Sequence, residues 1–182
     1  MPAKSIPEPW QSFLSDIDGS LHEDVHLHCL GGFVVTLLYD LARSTVDVDV
    51  IAVTPRSEIE SLMRLAGEGS GLHRRHKVYL QLVGVATVPD NYEERMTEIS
   101  PGRFNHLRLH ALDPYDLALS KLERNTQRDR DDIKHLARTV PFDGDKLQER
   151  YQDELRPNLG NPKREDLTLQ LWLDAIEEDR RG

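Results

Sequence analysis

Apolar and polar residues alternate along Val25-His26-Leu27-His28-Cys29-Leu30, the period of a half-buried strand. Gly31-Gly32 interrupts that alternation. The apolar run that follows, residues 33–41, is expected to be a helix packed on the sheet. Residues 46–53 (Val-Asp-Val-Asp-Val-Ile-Ala-Val) are β-branched and alternating, and they end at Thr54-Pro55, so they are read as a strand. Ser57, with Glu60 three positions on, has the form of a capping box for a helix to residue 66, and Gly67, Gly69 and Gly71 then suggest a flexible loop. A short helix is expected over residues 10–17, strand over residues 78–88, a short helix over residues 92–96 and a strand around Leu107-Arg108-Leu109. Asp113 followed by Pro114 opens a helix that runs through Leu117, Leu119 and Leu122. A second helix is expected over residues 128–138, and from Phe142 the pattern is helical and charged, broken near residues 157–162.

This order predicts an α+β fold: a mixed β-sheet flanked by helices over residues 1–112, with a helical C-terminal part, residues 113–182, packed on it. No internal repeat is visible. The helix around Leu167, Leu169, Leu171, Trp172 and Ile176 has enough apolar positions to dock on its own domain.

Within the strand at 46–53, Asp47 and Asp49 are two residues apart and so share a face, with Val46, Val48 and Val50 on the other. Aspartate is poorly suited to strands, and two such carboxylates repel unless a cation lies between them. Mg²⁺ suits the pair, because it takes one or two protein carboxylates and fills its other positions with water and phosphate oxygens. Gly31-Gly32 lets backbone N–H groups approach phosphate oxygens, and the following helix start favours negative charge. The pattern points to a metal-dependent site for a nucleoside triphosphate.

Composition narrows the setting. The chain has 182 residues and a net charge of -9, from 32 Asp and Glu against 23 Lys and Arg, which argues against bulk electrostatic coating of nucleic acid. The basic cluster Arg74-Arg75-His76-Lys77 is read as a solvated loop. One cysteine, Cys29, excludes an intrachain disulfide and fits a reducing compartment; its apolar surroundings suggest a buried, inert thiol. The N-terminal MPAKSIPEPW has no apolar core of a signal peptide, and no stretch approaches the ~20 apolar residues of a membrane span. A soluble cytoplasmic protein is expected.

The segment His28-Cys29-Leu30-Gly31-Gly32-Phe33-Val34-Val35, followed by Arg43-Ser44-Thr45-Val46-Asp47-Val48-Asp49, resembles the signature of the nucleotidyltransferase superfamily related to DNA polymerase β. Within it, the branch of AbiEii-like toxins is the most similar. The resemblance continues through Asp113-Pro114-Tyr115-Asp116 to Lys121, then Arg128-Asp129-Arg130-Asp131-Asp132, and covers roughly residues 25–138. It implies Mg²⁺-dependent transfer of a nucleoside monophosphate from an NTP to a hydroxyl acceptor. Asp47 and Asp49 would hold the metal. Gly31, Gly32, Thr45, Lys121 and Asp129 would contact the nucleotide, Arg43 would touch a phosphate or steady the strand carboxylates, and Asp132 (or Asp129) would position the acceptor or act as a base. It further implies an RNA acceptor such as tRNA, a cognate antitoxin protein, and a toxin–antitoxin or phage-defence setting.

The chain departs from the superfamily in one respect. Many of its enzymes use a third carboxylate on a later strand, whereas neither residues 78–88 nor Leu107-Arg108-Leu109 supplies one. Asp113 is a candidate by position only. A catalytically weak or inactive binding module on the same fold is therefore the alternative. His26 and His28 share a strand face, but with Cys29 on the opposite side they make no zinc set. Residues 103–108, with His106, are placed on the acceptor side by position.

Overall fold

The computed structural model describes residues 5–42, 44–84 and 87–181. Two compact units are present: Met1–Gly84 with Met96–Leu112, and Val85–Arg95 with Asp113–Gly182. The fold is α+β, with a mixed sheet flanked by helices and a helical C-terminal part.

The first unit holds the whole sheet. Helix α1 (Trp10–Asp18) precedes strand β1 (Val25–Leu30), helix α2 (Gly31–Tyr39) and strand β2 (Asp47–Thr54). Helices α3 (Ile59–Ala66) and α4 (Gly71–His76) follow, then strands β3 (Tyr79–Leu82), β4 (Thr97–Ile99) and β5 (Leu107–Ala111). The strand order is β3-β2-β1-β5-β4. β1 is antiparallel to β2 and parallel to β5, β3 is parallel to β2, and β4 is antiparallel to β5.

Alternation decides the faces. Leu27 and Cys29 on β1, Val48 and Val50 on β2, Leu80 on β3, and Leu107 and Leu109 on β5 are all buried on one side. Phe13, Leu14 and Ile17 of α1, Phe33, Val34 and Leu37 of α2, and Leu62 and Ala66 of α3 supply the rest of this core. The opposite face carries the polar alternates, including Asp47 and Asp49, His26 and His28, and His110. There His26 Nδ1 and His110 Nε2 lie 2.9 Å apart with the rings stacked. Burial, followed by the neighbouring His26, pushes the His110 imidazole below its ordinary range.

The β1–β2 ladder contains a bulge. His28 pairs with Ala52 but Cys29 pairs with Val50, so Ile51 is the extra residue. Val46 lies before the strand and is 53% exposed, so it does not join Val48 and Val50 in the core as alternation suggests.

Several local expectations change. Gly31 and Gly32 do not precede α2; they are its first two residues. Ser57 caps nothing: it lies in a 3₁₀ turn (Arg56–Glu58), and α3 starts at Ile59 without a side-chain cap. The glycine-rich stretch continues into α4, capped by the Ser70 hydroxyl, which accepts from the His73 N–H. Of the basic residues read as a loop, Arg74, Arg75 and His76 are thus helical, and Lys77 ends the helix in the left-handed region. Arg75 and His76 reach Asp16 at 3.0 and 2.7 Å. β4 had no signal in the sequence pattern, since three residues are too few to show a period.

The second unit is built from α5 (Pro114–Leu119), α6 (Gln127–Thr139), α7 (Gly144–Arg150) and α8 (Pro162–Arg181), with a π-helical segment, Tyr151–Leu155, between the last two. Asp113 caps α5, its carboxylate accepting from the Asp116 N–H, with Pro114 in the first turn. α5 stops at Leu119, short of Leu122. Leu119, Leu122, Ile133, Phe142, Tyr151 and Trp172 pack in one cluster, with Leu169 and Ile176 completing the buried side of α8. Leu167 and Leu171 remain exposed on that helix.

The segment 87–95 groups with these helices. Arg95 holds it there, donating to both oxygens of the buried Asp116 at 3.0 and 3.1 Å and to Glu154 at 2.8 Å. Arg150 adds bonds to Asp113 at 2.7 Å and to Asp116 at 3.0 Å. Among the described residues, no helix is long and apolar enough to cross a membrane.

Candidate active site

Strand β2 places Asp47 and Asp49 on one face, both half-buried, while Val48 and Val50 between and beyond them are fully buried. The core-side valines fix the strand's rotation, and that fixes where the carboxylates point. Thr45, just before the strand, donates its hydroxyl to Asp47 Oδ1.

The antiparallel ladder pairs Asp49 with Leu30, the last residue of β1. This delivers the Asp49 carboxylate to the first residue of α2. Gly31 has φ +73°, in the left-handed region, and a Cβ added there would lie 2.1 Å from Asp49 Oδ2. Both the backbone conformation and the approach of the carboxylate therefore require glycine. The first N–H groups of any α-helix lack intrahelical acceptors and carry partial positive charge. In this chain those groups belong to Gly31, Gly32 and the residues just after, next to a carboxylate pair. Arg43, expected to contact the nucleotide, lies outside the described residues.

On the other side of β2, strand β3 sets Tyr79 beside Asp47 and Gln81 beside Asp49. Leu80 between them is buried, so Tyr79 and Gln81 share the carboxylates' face. Burial, then the negative charge of Asp47, Glu68 and Asp49, pushes the Tyr79 phenol above its ordinary range. Behind the site, full burial and then Asp49 push the Cys29 thiol up to about 12, which makes it an inert core group.

Two carboxylates at alternate strand positions, half-exposed and next to helix N–H groups, fit a hard divalent cation that shares its coordination with phosphate oxygens. No carboxylate lies on β3 opposite the pair. Among the described residues, no group of three or more His, Cys, Asp or Glu side chains is arranged to hold a metal. Two carboxylates alone are a donor set of the kind Mg²⁺ takes, the rest of its shell being water and phosphate oxygens.

The remaining expected residues form a cluster of their own in the second unit. Lys121 Nζ lies 2.8 Å from Asp132 Oδ2 and 3.5 Å from Asp129 Oδ1, with side-chain exposures of 4%, 0% and 0%. Asp129 caps α6 as the third residue of a capping box with Thr126, and it also accepts from Arg124 Nε at 2.9 Å. Burial works to raise its carboxyl, but the bonds from Arg124 and Thr126 hold it well below the usual carboxylate range. Lys121 is therefore neither a solvated surface lysine nor an exposed phosphate contact in this structure. Asp113 is likewise committed, to the α5 cap and to Arg150. Arg108 donates to the carbonyls of Phe104 and Asn105, and His106 pairs with Asp24, so both are tied into the loop before β5.

Sequence reasoning passed over Tyr79 and Gln81. Their alternation with Leu80 is present in the chain, but their pairing with β2 is not a local property. It also passed over Asp18, whose carboxylate accepts the backbone N–H groups of Asn105, His106 and Leu107 at 3.0, 2.7 and 2.9 Å.

No curated protein and no solved structure matches the chain significantly. A family model does match, over residues 13–180, so that the glycine pair, the two strand carboxylates and most of the helical unit all lie inside it: the chain belongs to the family described as nucleotidyltransferase of unknown function (DUF6036).

Proposed function

We propose that this protein transfers a nucleoside monophosphate from an NTP to a hydroxyl acceptor and releases pyrophosphate, using Asp47 and Asp49 to hold Mg²⁺. The observation that carries the reading is the placement of Asp49 Oδ2 against the backbone of Gly31, at the start of α2. It brings a carboxylate of the kind a hard cation takes close to the first N–H groups of a helix, of the kind that accept phosphate oxygens.

Mg²⁺ bound there would offset the charge of the triphosphate and of the departing pyrophosphate. The chain's own part is positional. The N–H groups of Gly31 and Gly32 bind phosphate oxygens, and the absence of a Cβ at residue 31 keeps room for Asp49. Thr45 fixes the rotamer of Asp47. Lys121 and Asp132 would have to open a buried ion pair to reach substrate. We therefore assign them, with Asp129, to holding the turn after α5 against α6. An RNA acceptor such as tRNA, a cognate antitoxin and a toxin–antitoxin setting rest on the sequence resemblance to AbiEii-like toxins.

The test is transfer of label from α-³²P-NTP to an RNA pool in the presence of Mg²⁺. Asp47→Asn and Asp49→Asn should each abolish it, and undiminished labelling by either variant would overturn the assignment. A second reading, nucleotide binding without turnover, is favoured by one observation: the β3 residues beside the carboxylates are Tyr79 and Gln81, neither of them acidic. It predicts Mg²⁺-dependent NTP binding with no pyrophosphate release.

A further inference from the structure

Helices α6 and α8 of the second unit leave a cavity of about 190 Å³ between them. Its floor is apolar and buried: Ile133 of α6 with Trp172 and Ile176 of α8. Leu171 forms part of the wall and is 58% exposed, and Leu167, one turn earlier on α8, is 62% exposed. Arg130 and Lys134 of α6 also line the cavity, and no carboxylate does. In a chain of net charge -9 this is a local reversal of sign. Arg130 donates to neutral groups, the Asn125 backbone carbonyl at 2.8 Å and Gln127 Oε1 at 3.0 Å. Lys134 acts on Asp179 through space, but that carboxylate accepts from Arg138 Nε at 2.6 Å. Asp131 and Asp174 on the same two helices accept from Gln127 and Gln170.

We propose that this groove docks an acidic amphipathic helix of a partner protein. The cavity is smaller than the ~300–1,000 Å³ of a small-molecule site and has room for about one or two side chains. Leu167 and Leu171 carry the apolar surface along α8 past the cavity, at the i, i+4 spacing that a second helix meets with its own apolar stripe. An apolar side chain of the partner enters against Trp172, and carboxylates flanking that side chain meet Arg130 and Lys134. The two exposed leucines favour a protein over a nucleic acid, whose phosphates would meet the cations and leave the leucines without a partner. The surface stands apart from the proposed nucleotide site and does not depend on it.

The experiment is fluorescence anisotropy on the full chain with two labelled helical peptides of about four turns. Both carry leucine at every third or fourth position; one has glutamate beside the leucines and the other has lysine. Wild type should bind the glutamate peptide at least about tenfold more tightly than the lysine peptide. Leu171→Asp should weaken that binding about tenfold or more, and Lys134→Glu should remove or reverse the preference. Both residues are exposed, and circular dichroism checks that each variant folds. If wild type binds neither peptide, or binds both alike, or if Lys134→Glu keeps the wild-type preference, the proposal is overturned. It is overturned in favour of nucleic acid if a labelled single-stranded RNA binds, is lost in Lys134→Glu, and the glutamate peptide does not bind. It is overturned in favour of a second copy of this chain if sedimentation shows a dimer that Leu171→Asp splits.

Discussion

Gly31, at the start of α2, and Asp49 of β2 come together so closely that residue 31 has no room for a side chain: a Cβ there would stand 2.1 Å from Asp49 Oδ2. The same glycine has φ +73°. Gly31→Ala should therefore do two separable things. The left-handed backbone alone should cost about 1–2 kcal/mol of stability. The displaced carboxylate should remove Mg²⁺-dependent NTP binding even where the protein is fully folded. A urea melt and a calorimetric titration on the same sample measure both. A folded variant with wild-type NTP affinity would show that the contact has no bearing on the ligand.

Lys121 and Asp132 give an opposite kind of prediction. Their 2.8 Å pair is almost fully buried. Lys121→Ala should cost about 3–5 kcal/mol in chemical denaturation, because it leaves carboxylates without their countercharge in a dry interior. The double variant Lys121→Met/Asp132→Leu should recover most of that loss, since both charges leave together. A single variant that is fully stable yet fails to bind NTP would return Lys121 to the nucleotide site.

Asp18 ties the loop before β5 to the end of α1 through three backbone N–H groups. Burial opposes its ionisation, but those three bonds outweigh it and hold the carboxyl below its usual value of 3.8. A depressed folded-state value means the stabilisation is fully present above pH 3.8 and is lost as pH falls through the lower, folded-state value. Asp129 contributes with the same sign. Urea midpoints should hold through neutral pH and drop steeply in acid. Asp18→Ala should cost about 2–4 kcal/mol at pH 7 and flatten part of the acid limb.

Cys29 is fully buried, and its thiol is pushed up to about 12. Ellman's reagent should label it only at the rate of global unfolding. Fast labelling of the native protein at pH 8 would contradict the packing of β1.

The sequence made the local chemistry legible where a residue's neighbours in the chain are also its neighbours in space. The Asp113–Pro114 helix start and the strand alternation of residues 25–30 are of that kind. The apposition of Gly31 and Asp49 was only half legible: both residues stood out, but their contact depends on a ladder register set by a bulge. Tyr79 and Gln81 were invisible as site residues because a parallel pairing has no signature in either strand alone. Ser57 misled for a related reason. Its spacing to Glu60 imitates a cap, yet Pro55 leads into a 3₁₀ turn and the α-helix begins one residue beyond Glu58. Lys121 stood out by its motif, whereas its burial against Asp129 and Asp132 is not a property of the local sequence.

The bulge at Ile51 has a consequence of its own. Take Ile51 away and the strand still alternates correctly, with Val48, Val50 and Val53 inward and Asp47, Asp49, Ala52 and Thr54 outward. The extra residue is not needed to keep the core in phase. What it adds is bend and twist between the two halves of β2. It works as a trim adjustment: one position that can re-aim the carboxylates by an angle while every inward-facing side chain keeps its place.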